Sequence, residues 1–153
     1  MAVAKSEIAT FFEAFPNGIV WGNTVRGEGY DIVLSGQVEP ARLDVDAMER
    51  MLASPDFAPV ARSLRQIGFD SVTALLSTYG GRGQDLKPWL HGAEINRDNN
   101  LRLQFLAGFG VDRDQRMEIY RGILGYRRFP EDMFVGSPEK IAPLRATLSA
   151  RSQ

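Results

Sequence analysis

The stretch that decides the fold runs from residue 11 to residue 40 and reads FFEAFPNGIVWGNTVRGEGYDIVLSGQVEP. It contains two apolar runs, Ile19–Trp21 and Tyr30–Leu34, on either side of a glycine-containing loop, and this pattern predicts a β-hairpin. The second run is nearly continuous in apolar residues, as expected of a strand that is covered on both faces. Because an isolated hairpin is only marginally stable, the two strands need a sheet partner, yet the sequence shows no obvious third strand.

The residues before the hairpin predict a helix. Between Ala4 and Phe15, apolar side chains recur at three- and four-residue spacing, which places them on one helical face. The turn-forming run Pro16-Asn17-Gly18 then ends this helix.

After Pro40 the pattern changes to helical periodicity. Asp44 and Asp70 each precede an apolar repeat and are predicted N-caps, and Pro55 opens a further helix between them. That middle helix is predicted to end at Gly68, and its apolar face consists of Phe57, Val60, Leu64 and Ile67.

Later segments are also mostly helical in pattern. Helices are predicted over residues 84–90, over 114–126 and from 137 onward, whereas 93–100 is polar and predicts a loop. The sequence therefore predicts an α+β protein. Residues 1–40 form a helix and a hairpin, and residues 41–153 form a mostly helical array, as one domain or as a domain with a helical appendage.

Composition excludes several classes of function. The chain has 153 residues, no cysteine and a formal net charge of −1, so it lacks disulfides and thiolate metal ligands and has no basic surplus for nucleic acid. No stretch approaches the roughly 20 apolar residues of a membrane span, and the N-terminus has no signal-peptide core. We therefore expect a cytoplasmic protein that neither binds nucleic acid nor inserts into a membrane.

Two segments are candidates for chemistry. The glycine-rich run Tyr79–Gly83 precedes a predicted helix and could approach a phosphate, but an interhelical loop is the favoured interpretation. The polar segment from Glu94 to Arg102 concentrates hydrogen-bonding groups, and we take Asn96, Asp98 and Arg102 as candidate substrate or partner contacts. The alternative is a turn in which these side chains bind local backbone. His91, the single histidine, has no partner at ligand spacing, so we predict no metal site and assign no catalytic residue.

Residues 11–23 and 29–40 resemble the last helix and the terminal strand pair of spermidine-synthase-like proteins. Residues 74–108, ALLSTYGGRGQDLKPWLHGAEINRDNNLRLQFLAG, resemble the extension of those family members that are fused to membrane transporter segments. In those members an Asn-Thr-Asp-like segment and a Leu-Glu-Tyr-like segment are common. The corresponding segments here read Asn96-Arg97-Asp98 and Leu103-Gln104-Phe105, so Arg97 and Gln104 depart from the pattern.

The resemblance implies a Rossmann-type aminopropyltransferase relative, whose co-substrate is decarboxylated S-adenosylmethionine. Its nucleotide site needs a glycine-rich turn after the first strand and an acidic residue after the second, and both are expected N-terminal to Ile8. The chain is therefore expected to be a C-terminal portion of such a protein. On its own it would bind no cofactor and have no aminopropyltransferase activity.

Two partners follow from this expectation: a separately encoded Rossmann half, or a second copy of the chain. One rival hypothesis is a stand-alone helical interaction module that pairs through its hairpin edge by strand addition. A second rival is a small enzyme that uses residues 96–102.

Overall fold

The computed structural model describes residues 1–25, 28–101, 103–104 and 113–150, and it is α+β as predicted. The chain divides into two compact units. Unit 1 combines Met1–Pro40 with Tyr79–Arg128, and unit 2 combines Ala41–Thr78 with Phe129–Arg151. The described elements, in chain order, are α1 (Ala2–Ala14), β1 (Ile19–Val25), β2 (Glu28–Ser35), β3 (Leu43–Asp44), α2 (Val45–Ala53), a 3-10 turn (Pro55–Phe57), α3 (Ala58–Gln66), α4 (Val72–Leu76), β4 (Tyr79–Arg82), α5 (Gly83–Leu86), α6 (Arg113–Tyr126), β5 (Phe134–Val135) and α7 (Pro138–Ala150).

Unit 1 contains the predicted hairpin and also a third strand. The sheet order is β2-β1-β4, and both pairings are antiparallel. The prediction that Tyr79–Gly83 is an interhelical loop was therefore wrong for Tyr79–Arg82. Glycine has low strand propensity, so this segment carries no strand signal. A Cβ at Gly80 would lie 3.1 Å from the Val20 carbonyl oxygen, which shows how closely the two strands approach.

Strand β2 also departs from the prediction. Along it, Ile32 and Leu34 are partly buried, whereas Asp31, Val33 and Ser35 are exposed. The strand is therefore covered on one face and not on both. Its apolar residue Val33 is 50% exposed, and a nearly continuous apolar run could not show this in advance.

The core of unit 1 lies between the sheet, α1 and α6. Its buried members are Ile8, Val20, Leu86, Trp89, Ile119 and Ile123. A side chain at Gly122 would overlap the Trp89 indole nitrogen, so the absence of a Cβ in α6 makes room for this ring.

Unit 2 contains α2, α3, α4 and α7 together with a two-residue parallel pairing of β3 and β5. Asp44 caps α2 as predicted, since its carboxylate accepts a hydrogen bond from the Ala47 N–H at 2.9 Å. Ser71, and not Asp70, caps α4, because its hydroxyl oxygen accepts from the Ala74 N–H at 3.0 Å. The predicted stop at Gly68 is confirmed by its φ of +92°, a conformation that favours glycine.

Candidate functional site

The polar segment that begins at Glu94 lies against helix α1. The Ser6 hydroxyl donates to the Glu94 carbonyl at 2.5 Å, and Thr10 Oγ1 accepts from the Asn96 N–H at 2.8 Å. Arg97 forms an ion pair with Glu13 at 2.8 Å. Ser6 is 1% exposed and Arg97 is exposed, so the contacts between the segment and α1 extend from the interior of unit 1 to its surface.

The predicted contact residues have different roles within this segment. Asn96 Oδ1 accepts from the Leu103 N–H at 2.8 Å, which closes the loop, so Asn96 matches the local-turn interpretation. Asn100 supports the same turn by accepting from the Arg97 N–H and donating to the Ile95 carbonyl, both at 2.8 Å. Asp98 is exposed in this turn region, and Arg102 lies outside the described residues.

A partly buried polar cluster joins β4 to the residues that follow it. The Tyr79 hydroxyl lies 3.4 Å from Asp85 Oδ2, and Arg82 Nε lies 3.9 Å from the same oxygen. Tyr79 is completely buried, and burial, together with the Asp85 charge, raises its pKa well above the ordinary 10.0 although Arg82 opposes this. Tyr79 therefore remains a neutral donor at physiological pH. The cluster lies between the end of β4 and helix α5, which has only four residues.

Metal chemistry receives no support within the described part of the chain. No group of three or more His, Asp or Glu side chains is placed there to hold an ion. His91 is exposed. Among the described helices, none is both long and apolar enough to cross a membrane.

The outer edge of β2, one of the two edge strands of the sheet, can accept another molecule through its backbone. Among the described residues, β2 pairs with β1 alone. In an antiparallel pair, alternate residues point their N–H groups away from the neighbouring strand. The Ile32 N–H donates to Asp31 Oδ1 at 2.8 Å, as expected of one of these outward groups. The Asp31 carboxylate therefore accepts the hydrogen bond of this N–H and adds negative charge to the edge. Charge at a sheet edge is a common protection against unwanted strand pairing.

A groove of about 270 Å³ lies beside this edge, between α1, β2 and α6. Ile32 and Ile119 form apolar parts of its lining, and Glu7, Asp31 and Arg116 contribute charged groups. Asp31 and Ile32 belong both to the groove and to the edge, so we call the two together the β2 edge site. The sequence patterns did not predict this site. Its one available signal was Asp31, a charged residue that interrupts an apolar run.

Comparisons with known proteins do not identify a relative. No family model, no curated protein and no solved structure matches the chain.

Proposed function

We propose that this chain is the C-terminal portion of a spermidine-synthase-like protein, and that the outer edge of β2 joins the sheet of a Rossmann-type nucleotide-binding half. The observation that supports this is the strand order. Because β2 is outermost and β1 lies between β2 and β4, a larger sheet can continue across β2 without disturbing either existing pairing.

The contacts at the edge fit an incoming strand. Ile32 offers an outward N–H, and its side chain packs against the core of unit 1, so the strand is held rigidly while its edge stays accessible. An incoming carbonyl would replace the Asp31 carboxylate as the acceptor of this N–H. The exchange makes the edge selective, because a partner strand must bind better than a carboxylate that is already in place.

In this proposal the chain supports the reaction and does not perform it. Aminopropyl transfer from decarboxylated S-adenosylmethionine depends on the nucleotide-binding half, and this chain completes the sheet next to it. Asp98, exposed in the turn that α1 holds in position, is the described residue left for contact with the amine substrate or with the partner half.

The test begins with the coding sequence directly upstream of Met1, which we expect to encode a glycine-rich βαβ unit. The encoded half and this chain are produced separately, mixed, and assayed for spermidine formation from putrescine and for complex formation by sedimentation velocity. We expect turnover from the mixture and none from this chain alone. Robust turnover by the chain alone, or an upstream sequence without such a unit, would contradict the proposal.

A matched pair of variants tests whether the outer edge of β2 is the interface with the partner half. Ile32→Pro removes the N–H that donates to Asp31 Oδ1, whereas Ile32→Ala shortens the side chain and keeps the donor. We expect complex formation to be lost with Ile32→Pro and retained with Ile32→Ala, with circular dichroism confirming that both variants fold. Equal binding by the two variants would show that the edge of β2 is not the interface.

The second candidate function is a stand-alone interaction module that uses the same edge. The half-exposed Val33 beside the outer edge favours a partner strand of this kind. In that case the chain binds a partner by strand addition, and the upstream coding sequence is unrelated. A partner that binds wild type and Ile32→Ala but not Ile32→Pro, without any aminopropyl transfer, distinguishes this function from the first.

A further inference from the structure

Helix α3 and the residues that flank it carry apolar side chains that unit 2 does not cover. Phe57, Val60 and Ile67 follow helical spacing and are 37%, 47% and 70% exposed. Ala61, on the neighbouring face of α3, is 7% exposed, so the helix is packed in place while this stripe faces outward. We call Phe57, Val60 and Ile67 the α3 stripe. A contiguous exposed apolar surface of this kind is characteristic of an interaction site.

A groove of about 300 Å³ lies next to the stripe, and all of its lining residues belong to unit 2. Its apolar lining includes Leu52, Leu64, Phe69 and Val72. Leu64 stands between Val60 and Ile67 in the helical repeat, so the stripe and the groove form one continuous apolar surface.

The rim of the groove carries opposite charges at fixed positions. Arg65 and Asp70 both line it, and both are exposed. Two backbone hydrogen bonds form the turn between them. The Gly68 N–H donates to the Arg65 carbonyl at 3.1 Å, and the Phe69 N–H donates to the Leu64 carbonyl at 2.9 Å, which is the paired-bond ending of a helix with glycine in the left-handed region.

The remaining charged group on the rim is already paired. Glu49 forms an ion pair with Lys140 at 2.5 Å, within unit 2. An incoming surface therefore meets one positive and one negative group. A partner of a single charge sign would gain from one of these groups and be repelled by the other.

We propose that a second copy of this chain docks on this surface, in a twofold-symmetric pair. Such symmetry brings the same patch of both copies together, so Arg65 of each copy can face Asp70 of the other while the α3 stripes pack between them. The formal net charge of −1 adds little long-range repulsion between two copies. This proposal is independent of the β2 edge site, since the two surfaces belong to different units.

The experiment is a charge swap read by sedimentation equilibrium over a wide range of protein concentration. In Arg65→Asp homodimers the new carboxylate would face Asp70, and in Asp70→Arg homodimers two arginines would meet. We expect each variant alone to dimerise at least about tenfold more weakly than wild type, because like charges across an interface are strongly unfavourable. An equimolar mixture of the two variants pairs opposite charges at both contacts, so we expect it to form a heterodimer.

The matched control is Arg62→Asp, which makes the same charge change on the same helix at a residue that does not line the groove. We expect it to dimerise like wild type, and Ile67→Ser to weaken the dimer without loss of helical content. A wild-type chain that stays monomeric at all concentrations overturns the proposal. So does a dimer that Ile32→Pro abolishes and the charge variants leave intact, because that dimer forms through β2. Binding to anionic lipid vesicles in place of dimerisation would also contradict it.

Discussion

Units 1 and 2 use apolar side chains in different ways. In unit 1, Trp89 packs so closely against α6 that only glycine fits at residue 122, and exposed apolar side chains such as Val33, Val38 and Tyr126 lie on separate segments. Unit 2 has a buried core as well, with Val45 and Leu144 fully covered, but it leaves the α3 stripe exposed. It also ties its segments with polar groups, among them Asp46 with Ser137 and Glu49 with Lys140. Apolar periodicity therefore shows which residues share a face, but not whether the protein itself covers that face.

The largest expected effect comes from the core of unit 1. Leu86 is completely buried in that core, so Leu86→Ala should lower the free energy of unfolding by about 2–5 kcal/mol, through lost burial and a residual cavity. Ile67→Ala removes a similar aliphatic group from the α3 stripe, where the side chain is 70% exposed, and should change stability by less than about 0.5 kcal/mol. Urea unfolding of both variants measures the difference.

The comparison of the two variants should be made at low protein concentration, where a dimer would not add to the stability of the wild type. Similar losses for Leu86→Ala and Ile67→Ala would mean that the stripe is covered within the monomer. That result would remove the contrast between the units.

The helices of unit 2 could be predicted because their signals are local. Asp44 is an N-cap, and Gly68 ends a helix, and each of these functions depends on neighbouring residues alone. Strand β4 could not be predicted, because its glycines carry no strand propensity and its pairing with β1 joins residues about sixty positions apart. The exposed face of β2 was missed for the same reason: coverage depends on distant elements.

The candidate site was less predictable than the fold. Asn96 was identified from its polar surroundings, yet its amide oxygen closes a local loop, which hydrogen-bonding capacity alone does not distinguish from ligand binding. The β2 edge site depends on which side of a strand remains open, and the sequence of β2 does not contain this information. Only Asp31, a charge within an apolar run, marked the position.

The next largest expected effect on stability comes from the hydrogen bonds between Asp46 and Ser137 in unit 2. Asp46 accepts hydrogen bonds from the Ser137 N–H at 2.5 Å and from its hydroxyl at 2.9 Å, and so holds the start of α7. These bonds lower the pKa of Asp46 below the ordinary 3.8, and the charges of Arg50 and Lys140 contribute in the same direction while burial opposes them. The folded state therefore binds the proton more weakly than the unfolded state does. The stabilisation is present above pH 3.8 and is lost as the pH falls through the lower folded-state value.

Asp46→Asn should therefore lower the midpoint temperature of unfolding at pH 7. It should also reduce the amount by which that midpoint decreases when the pH is lowered. Part of the acid sensitivity should remain, because the hydrogen bond from Arg145 also lowers the pKa of Glu131. Thermal scans between pH 7 and pH 3 measure both effects, and Asp44→Asn provides a control that keeps a good N-cap of α2. If the unfolding midpoints of wild type and Asp46→Asn change with pH in parallel, the stabilising role assigned to the Asp46 carboxylate is contradicted.

The smallest expected effect compares one glycine from each unit. Apart from chain neighbours and, for Gly125, the backbone of its own helix, no atom lies within 4 Å of the place where a Cβ would stand at Gly68 in unit 2 or Gly125 in unit 1. A side chain at either position would therefore meet no steric overlap from the rest of the protein. Their backbones differ, because Gly68 has a φ of +92° whereas Gly125 lies within α6. Gly68→Ala should therefore destabilise the protein by about 1 kcal/mol, through strain in the left-handed region. Gly125→Ala should stabilise it by about 0.5 kcal/mol through helix propensity, and chemical denaturation that finds the same sign for both would show that backbone conformation does not control the outcome.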